Sequence, residues 1–266
     1  MTLQDLYLLS PEISMALLAG LIIVLDLIFR NKKLLPIVGL IGLLVPLYFS
    51  INLSNSTPDV GFSSALSVDQ FSLFFKYLII FAVAIVLLIS IEFGKKFEGI
   101  QGEYYSLILL SASGMLLLAS ATELITIYIA LELTALPTAA LAAFLRTSRS
   151  AESGLKFLLL SAISSAMLLY GMVLIYGFTG TTYLPEIVTR IQEIIGTSET
   201  ILDSGALIFG IILITAGFGF KISAVPFQMW APDVSSREMY ILHVLFHCEK
   251  KLPPFEVLAM AWVNLW

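Results

Sequence analysis

Five ionisable side chains fall inside long apolar stretches of this sequence: Asp26, Lys76, Glu132, Lys156 and Lys221. An ionisable group at bilayer depth costs several kcal/mol, so it normally faces the interior of a helix bundle and has a task there. Glu132 has eight uncharged residues before it and thirteen after it, up to Arg146. Lys221 has seventeen before it and eleven after it, up to Asp233. Neither reaches a membrane surface easily by stretching its side chain. A buried carboxylate and a buried ammonium can satisfy each other, and a proton arriving or leaving toggles the couple. That is the chemistry a proton relay requires. Asp26 and Lys76 lie within a turn or two of their helix ends, where structural pairing or snorkelling is the reading. Lys156 opens its apolar run and reads either as a helix end or as a relay group. Glu123 reads as part of an outer loop.

The segment from Ala216 to Pro226 places Gly217, Gly219 and Pro226 around Lys221. Proline lacks a backbone donor and clashes with the preceding turn, so a break or kink is expected here. Irregular backbone at membrane depth is tolerated where it is buried in protein or lines a wet cavity, and discontinuous helices near the midplane are typical of ion-coupling sites. Other chemistry is poorly represented. His243, His247 and Cys248 have a spacing that could hold a metal on a helix. They read instead as an accident of an atypical tail, and no metal site is expected. Cys248 is the only cysteine, which excludes an internal disulfide and a thiolate cage. With no nucleophile–base set or phosphate loop, a soluble catalytic enzyme is the weakest reading.

Composition dictates the elements that must position these groups. Of 266 residues, 59% are hydrophobic and 12% charged, with a net charge of −5. The mean hydropathy is +0.97. A soluble domain carries roughly a quarter charged residues, so lipid must solvate most of this chain. The basic residues are too few and scattered for a nucleic-acid-binding stripe. About 20 apolar residues are needed to cross the hydrocarbon core. Seven stretches qualify, near 9–29, 34–54, 71–92, 104–122, 124–145, 156–179 and 204–230. The fold class expected is therefore an all-α, polytopic membrane protein. Asp5 and Glu12 precede the first apolar run, where a signal peptide would have a basic segment, so none is expected.

Basic residues between spans set the orientation. Arg30, Lys32, Lys33, Lys95, Lys96, Arg146 and Arg149 follow the odd-numbered spans, whereas Arg190 stands alone after the even-numbered ones. Seven against one places the N-terminus outside. Residues 55–70, with Pro58, Gly61 and several serines, read as an exposed loop. Residues 183–203 set Ile187, Ile191, Ile194 and Ile195 at helical spacing beside Glu186, Arg190 and Glu193, which predicts an amphipathic helix at the outer interface. Composition shifts after Val234, giving a transmembrane domain over 1–234 and an atypical tail over 235–266.

The run Leu131-Glu132-Leu133-Thr134-Ala135-Leu136-Pro137 resembles the fifth-helix motif of the antiporter-like membrane subunits of respiratory complex I. Glu103-Tyr104-Tyr105 to Gly114-Met115, then Ser120 to Glu123, looks like the family's fourth helix. Ser150-Ala151-Glu152 to Lys156-Phe157, then Leu169-Tyr170-Gly171, is similar to its sixth. The most specific segment, Val225-Pro226-Phe227 to Trp230-Ala231-Pro232-Asp233-Val234, resembles the N subunit rather than the L or M subunits. The resemblance covers about residues 1–234. It implies the first half of an antiporter-like bundle with a broken helix seven, in a proton-pumping NADH:quinone oxidoreductase. It also implies that Glu132 and Lys221 pair across a half-channel and that Lys156 modulates them. No cofactor is expected in this chain, because NADH and quinone act at other subunits. The implied partners are neighbouring antiporter-like and small membrane subunits and the lipid bilayer. The implied location is a bacterial inner membrane, in preference to a mitochondrial or plastid one. The family pattern stops at Val234, and Ser235-Ser236-Arg237-Glu238 departs from it. The tail therefore reads as frameshifted or foreign, and the chain as truncated. The alternatives are a subunit of a cation/proton antiporter or membrane-bound hydrogenase, and a non-pumping membrane fragment.

Overall fold

A computed structural model describes residues 3–28, 34–54, 59–62, 65–93, 99–144, 147–197, 205–222 and 224. Among these residues the elements run α1 (Leu3–Leu8), α2 (Ser10–Ile28), α3 (Leu35–Gly42), α4 (Leu44–Ser54), β1 (Asp59–Gly61), β2 (Leu66–Val68), α5 (Gln70–Phe93), α6 (Gln101–Ser120), α7 (Leu124–Ala142), α8 (Ser148–Thr179), α9 (Leu184–Thr197) and α10 (Gly205–Lys221). Six helical stretches are long and apolar enough to cross a membrane: Ser10–Ile28, Leu35–Ser54, Gln70–Ile91, Gln101–Ser120, Leu124–Ala142 and Ser150–Thr179. Gly205–Lys221 is a shorter apolar helix. The outward surfaces of these helices carry large apolar side chains, Leu17, Leu27, Phe81 and Ile163 among them, which water would not tolerate as a continuous coat. The tail over 235–266, with His243, His247 and Cys248, and the Val225–Val234 segment lie outside the described residues. So do the basic residues Arg30, Lys32, Lys33, Lys95, Lys96 and Arg146.

The chain forms two compact units, Met1–Phe144 and Leu145–Trp266. In the first, α6 is the central helix and packs against α2, α5 and α7. Its close neighbours are set by small residues. A Cβ on Gly102 would meet the Asp26 side chain of α2, and one on Gly114 would fall 2.6 Å from Thr134 Oγ1 of α7. The second stretch, 34–54, forms two helical segments with a turn at Leu43. Pro46 has no N–H to give the Gly42 carbonyl, which interrupts the hydrogen-bond ladder at that point. Residues 55–70 differ from the expected loop. They contain the antiparallel hairpin β1–β2, with Asp59 opposite Val68 and Gly61 opposite Leu66. Leu66 and Val68 are buried, and Val68 packs with Leu8, Leu53, Leu73 and Tyr77. The alternation Leu66-Ser67-Val68 explains the strand. A reciprocal cap at the start of α5, in which Ser72 N donates to Asp69 Oδ1 and Asp69 N to Ser72 Oγ, explains where it stops.

Lys76 does not snorkel. Its ammonium has no exposed surface and lies 2.7 Å from Glu12 Oε1, itself only 6% exposed. The approach is ionic rather than a well-angled hydrogen bond. Ser120 Oγ of α6 donates to the same carboxylate oxygen at 3.2 Å. One buried charge pair therefore ties α2, α5 and α6 together. The sequence places Glu12 on the flank of the first helix, but Pro11, fitted for a first helical turn, starts α2 ahead of it.

Removing one member of a buried ion pair strands the other charge, at a cost of about 3–5 kcal/mol, whereas replacing both with apolar groups is often near neutral. Lys76→Met should therefore lower the thermal stability of the protein in detergent by that order. The paired change Glu12→Leu with Lys76→Met should recover most of the loss. Equal losses in the single and paired variants would show that the two residues do not act together.

Candidate functional site

Glu132 is the ninth of nineteen residues in α7, midway along the helix. Ala130 and Thr134 face α6, where Gly114 lets the two backbones approach. Glu132 lies roughly 200° around the helix from Ala130. It therefore sits on the other side of α7, half-buried, on a stripe with the exposed Ile125, Ile129 and Leu136. Pro137 lies inside α7 and denies the Leu133 carbonyl its helical donor. Thr138 Oγ1 bonds the neighbouring carbonyls of Thr134 (3.1 Å) and Ala135 (2.8 Å), and Thr134 Oγ1 bonds Ala130 O at 2.9 Å. These threonine hydroxyls bond back to carbonyls of the preceding turn, beside the gap in the ladder that the proline leaves.

In the second unit, α8 begins earlier than its apolar run. Thr147 Oγ1 accepts from Ser150 N at 3.1 Å and caps the helix, and nothing from Ser148 to Lys156 breaks it. Lys156 is thus more than two turns inside α8 rather than at its start. It pairs with Glu152 one turn earlier at 2.9 Å and is 42% exposed. The helix ends at Gly180, whose φ of +70° supplies the left-handed residue that terminates it. The amphipathic helix expected over 183–203 appears as α9, with Ile187 buried and Ile191 and Ile194 half-buried. It packs against α8.

The buried face of α8 is a stripe of Ser161, Ser164, Ser165, Leu168, Gly171, Met172, Ile175 and Thr179. It runs against α10 in an antiparallel seam: Gly171 meets Gly210, Leu168 meets Gly217, and Ser161 meets Lys221. A Cβ on Gly217 would stand 2.8 Å from Leu168 Cβ, and one on Gly171 2.8 Å from the Gly210 carbonyl. Ser164 Oγ donates to Gly217 O across the seam at 2.9 Å. Lys221 is the last residue of α10, and its Nζ donates to Ser161 Oγ at 3.0 Å. Beyond it the pattern widens, with Ala224 N donating to Gly219 O. The structure therefore joins Lys221 to Ser161 and Lys156 to Glu152. Glu132 belongs to the other unit. Sequence reading missed Ser161, although serines at i and i+3 on an otherwise apolar helix were its signal.

The family model for the transmembrane part of NADH:quinone oxidoreductase and Mrp antiporter subunits matches residues 121–245. NADH-quinone oxidoreductase subunit N of Dehalococcoides mccartyi is 42% identical over 232 residues, covering 87% of this chain and 47% of the relative. The chain belongs to this antiporter-like subunit family. Subunit N of Erythrobacter litoralis is 40% identical over 237 residues, covering 86% of this chain and 47% of its own length. The chain thus spans about half the length of the curated relatives it matches. In three dimensions it is similar to a chain of respiratory complex I from Thermus thermophilus, with a TM-score of 0.66 and 25% identity over 96% of this chain and 52% of that one. An archaeal membrane-bound sulfane sulfur reductase shares the fold at a TM-score of 0.70 and 22% identity, covering 90% of this chain and 50% of that one. The chain is a multi-pass membrane protein of the complex I membrane-subunit fold.

The α8–α10 seam predicts a sharp steric response. Gly217→Val puts branched carbons against the Leu168 backbone, which cannot move aside, and overpacking of this kind costs about 1–3 kcal/mol. Thermal unfolding in detergent should show that loss. Gly177→Val, at a position with nothing within 4 Å of a Cβ, should show much less.

Proposed function

We propose that this chain works in the membrane arm of a bacterial proton-pumping NADH:quinone oxidoreductase, and that Glu132 and Lys221 carry protons there. The observation that carries the reading is the placement of Lys221. Its ammonium ends an apolar helix and is held by a hydroxyl on the neighbouring helix, 3.0 Å away. The similarity to subunit N supplies the redox partner reaction, which belongs to other subunits. Glu132 supports the reading by its position midway along α7, on a helix weakened by Pro137.

On this reading the chain sits in a bacterial inner membrane with the N-terminus outside, as the basic residues after the odd-numbered spans require. Its neighbours are other antiporter-like and small membrane subunits. Lys156, paired with Glu152 and partly exposed, modulates the relay through its charge rather than by holding the proton.

The test is the rate of proton translocation in membrane vesicles containing the assembled oxidoreductase. A positioned proton-transfer group is worth roughly 10² or more in rate. Glu132→Gln and Lys221→Met should therefore each cut pumping to below about a tenth, while Lys156→Ala should cut it by only about two- to three-fold. Unchanged pumping in both Glu132→Gln and Lys221→Met would sink the relay.

A further inference from the structure

We infer that Ser161 is the positioning residue for Lys221, and that it holds the lysine in place in both of its protonation states. This rests on the relay reading above. The chemistry follows from the choice of partner. A serine hydroxyl has one proton to donate and lone pairs to accept with. Toward an ammonium it accepts, as the 3.0 Å contact from Lys221 Nζ shows. Toward a neutral amine, the same hydroxyl turns and donates to the nitrogen lone pair. A hydroxyl therefore keeps Nζ in one place while a proton comes and goes.

The surroundings fit that role. Ser161 is only 5% exposed, so its hydroxyl is directed into protein rather than traded among solvent partners. Ser164, one turn further along, has its hydroxyl committed to the Gly217 carbonyl at 2.9 Å. Gly217 lies one turn before Lys221, so this second bond fixes how far α10 can slide along α8. The glycine contacts at Gly171, Gly210 and Gly217 hold the seam tight over the remaining length. Division of labour results: Ser164 sets the helices, and Ser161 sets the lysine. Lys156 lies roughly 140° around α8 from Ser161 and so stands off this stripe.

Comparing Ser161 with Ser164 separates positioning from packing. In the assembled oxidoreductase, Ser161→Ala should lower the rate of proton translocation by about ten-fold, the order expected for losing a hydrogen bond to a charged group. Ser161→Thr, which restores the hydroxyl, should return it to within about two-fold of the unsubstituted level. Ser164→Ala should loosen the same seam, and lower the thermal midpoint, yet keep pumping within about two-fold. Equal pumping losses in Ser161→Ala and Ser164→Ala, or no rescue by threonine, would reduce Ser161 to a packing residue and overturn the inference. Normal pumping in Ser161→Ala together with a defective Lys221→Met would overturn it while leaving the relay intact. Normal pumping in Lys221→Met would remove both. Should Ser161→Ala fail to assemble, Ser161→Cys, close in volume and a weaker acceptor, makes the same comparison.

Discussion

The Lys76 ammonium, wholly enclosed and 2.7 Å from the Glu12 carboxylate, shows the constraint that governs this protein. A charge taken out of water must be met by protein groups, and the desolvation cost is recovered only if the geometry is good and further hydrogen bonds help. Ser120 provides one such bond. The three groups come from α2, α5 and α6, so the pair can form only when those helices stand in one register. Because α6 is then fixed, α7 is fixed too, through the close approach at Gly114 and Thr134. Glu132 rides on α7. A charge pair elsewhere in this unit thus bears on where the Glu132 carboxylate stands.

The second unit meets the same constraint with weaker chemistry. Among the described residues its buried polar side chains are the hydroxyls of serines and Thr179, and the helices are brought close by glycines. Small residues allow backbones to approach in lipid, where no hydrophobic force drives helices together. The contrast between the two lysines is informative. Lys76 is held by a full opposite charge, the Glu12 carboxylate. Lys221 donates to a hydroxyl, Ser161 Oγ.

Much of this was legible in the sequence. Length and hydropathy located the helices, because lipid leaves only helices and closed barrels as spanning structures. Glu132 and Lys221 stood out because each is isolated in a long uncharged run. Partners were not legible. Glu12 looked like an acidic flank, since a residue three places into a helix differs little in sequence from one just before it. The start of α8 was missed because its polar first turns, Ser148 to Glu152, are helical without being apolar. The hairpin at 59–68 hid in a run of Ser, Pro and Gly, where alternation over only three residues is a weak signal. Ser161 was passed over for a simpler reason: a serine in an apolar helix is ordinarily neutral to function, and only the position of Lys221 across the seam gives it meaning.

The central claim is that an intramembrane carboxyl gains and loses a proton as the enzyme turns over. Infrared difference spectroscopy on the assembled oxidoreductase, comparing resting and turning-over states, reads this directly. The account predicts a protonated-carboxyl stretch that changes on turnover, shifts in heavy water and vanishes when Glu132 is replaced by Gln. A carboxyl signal that persists unchanged in Glu132→Gln while pumping continues would contradict it.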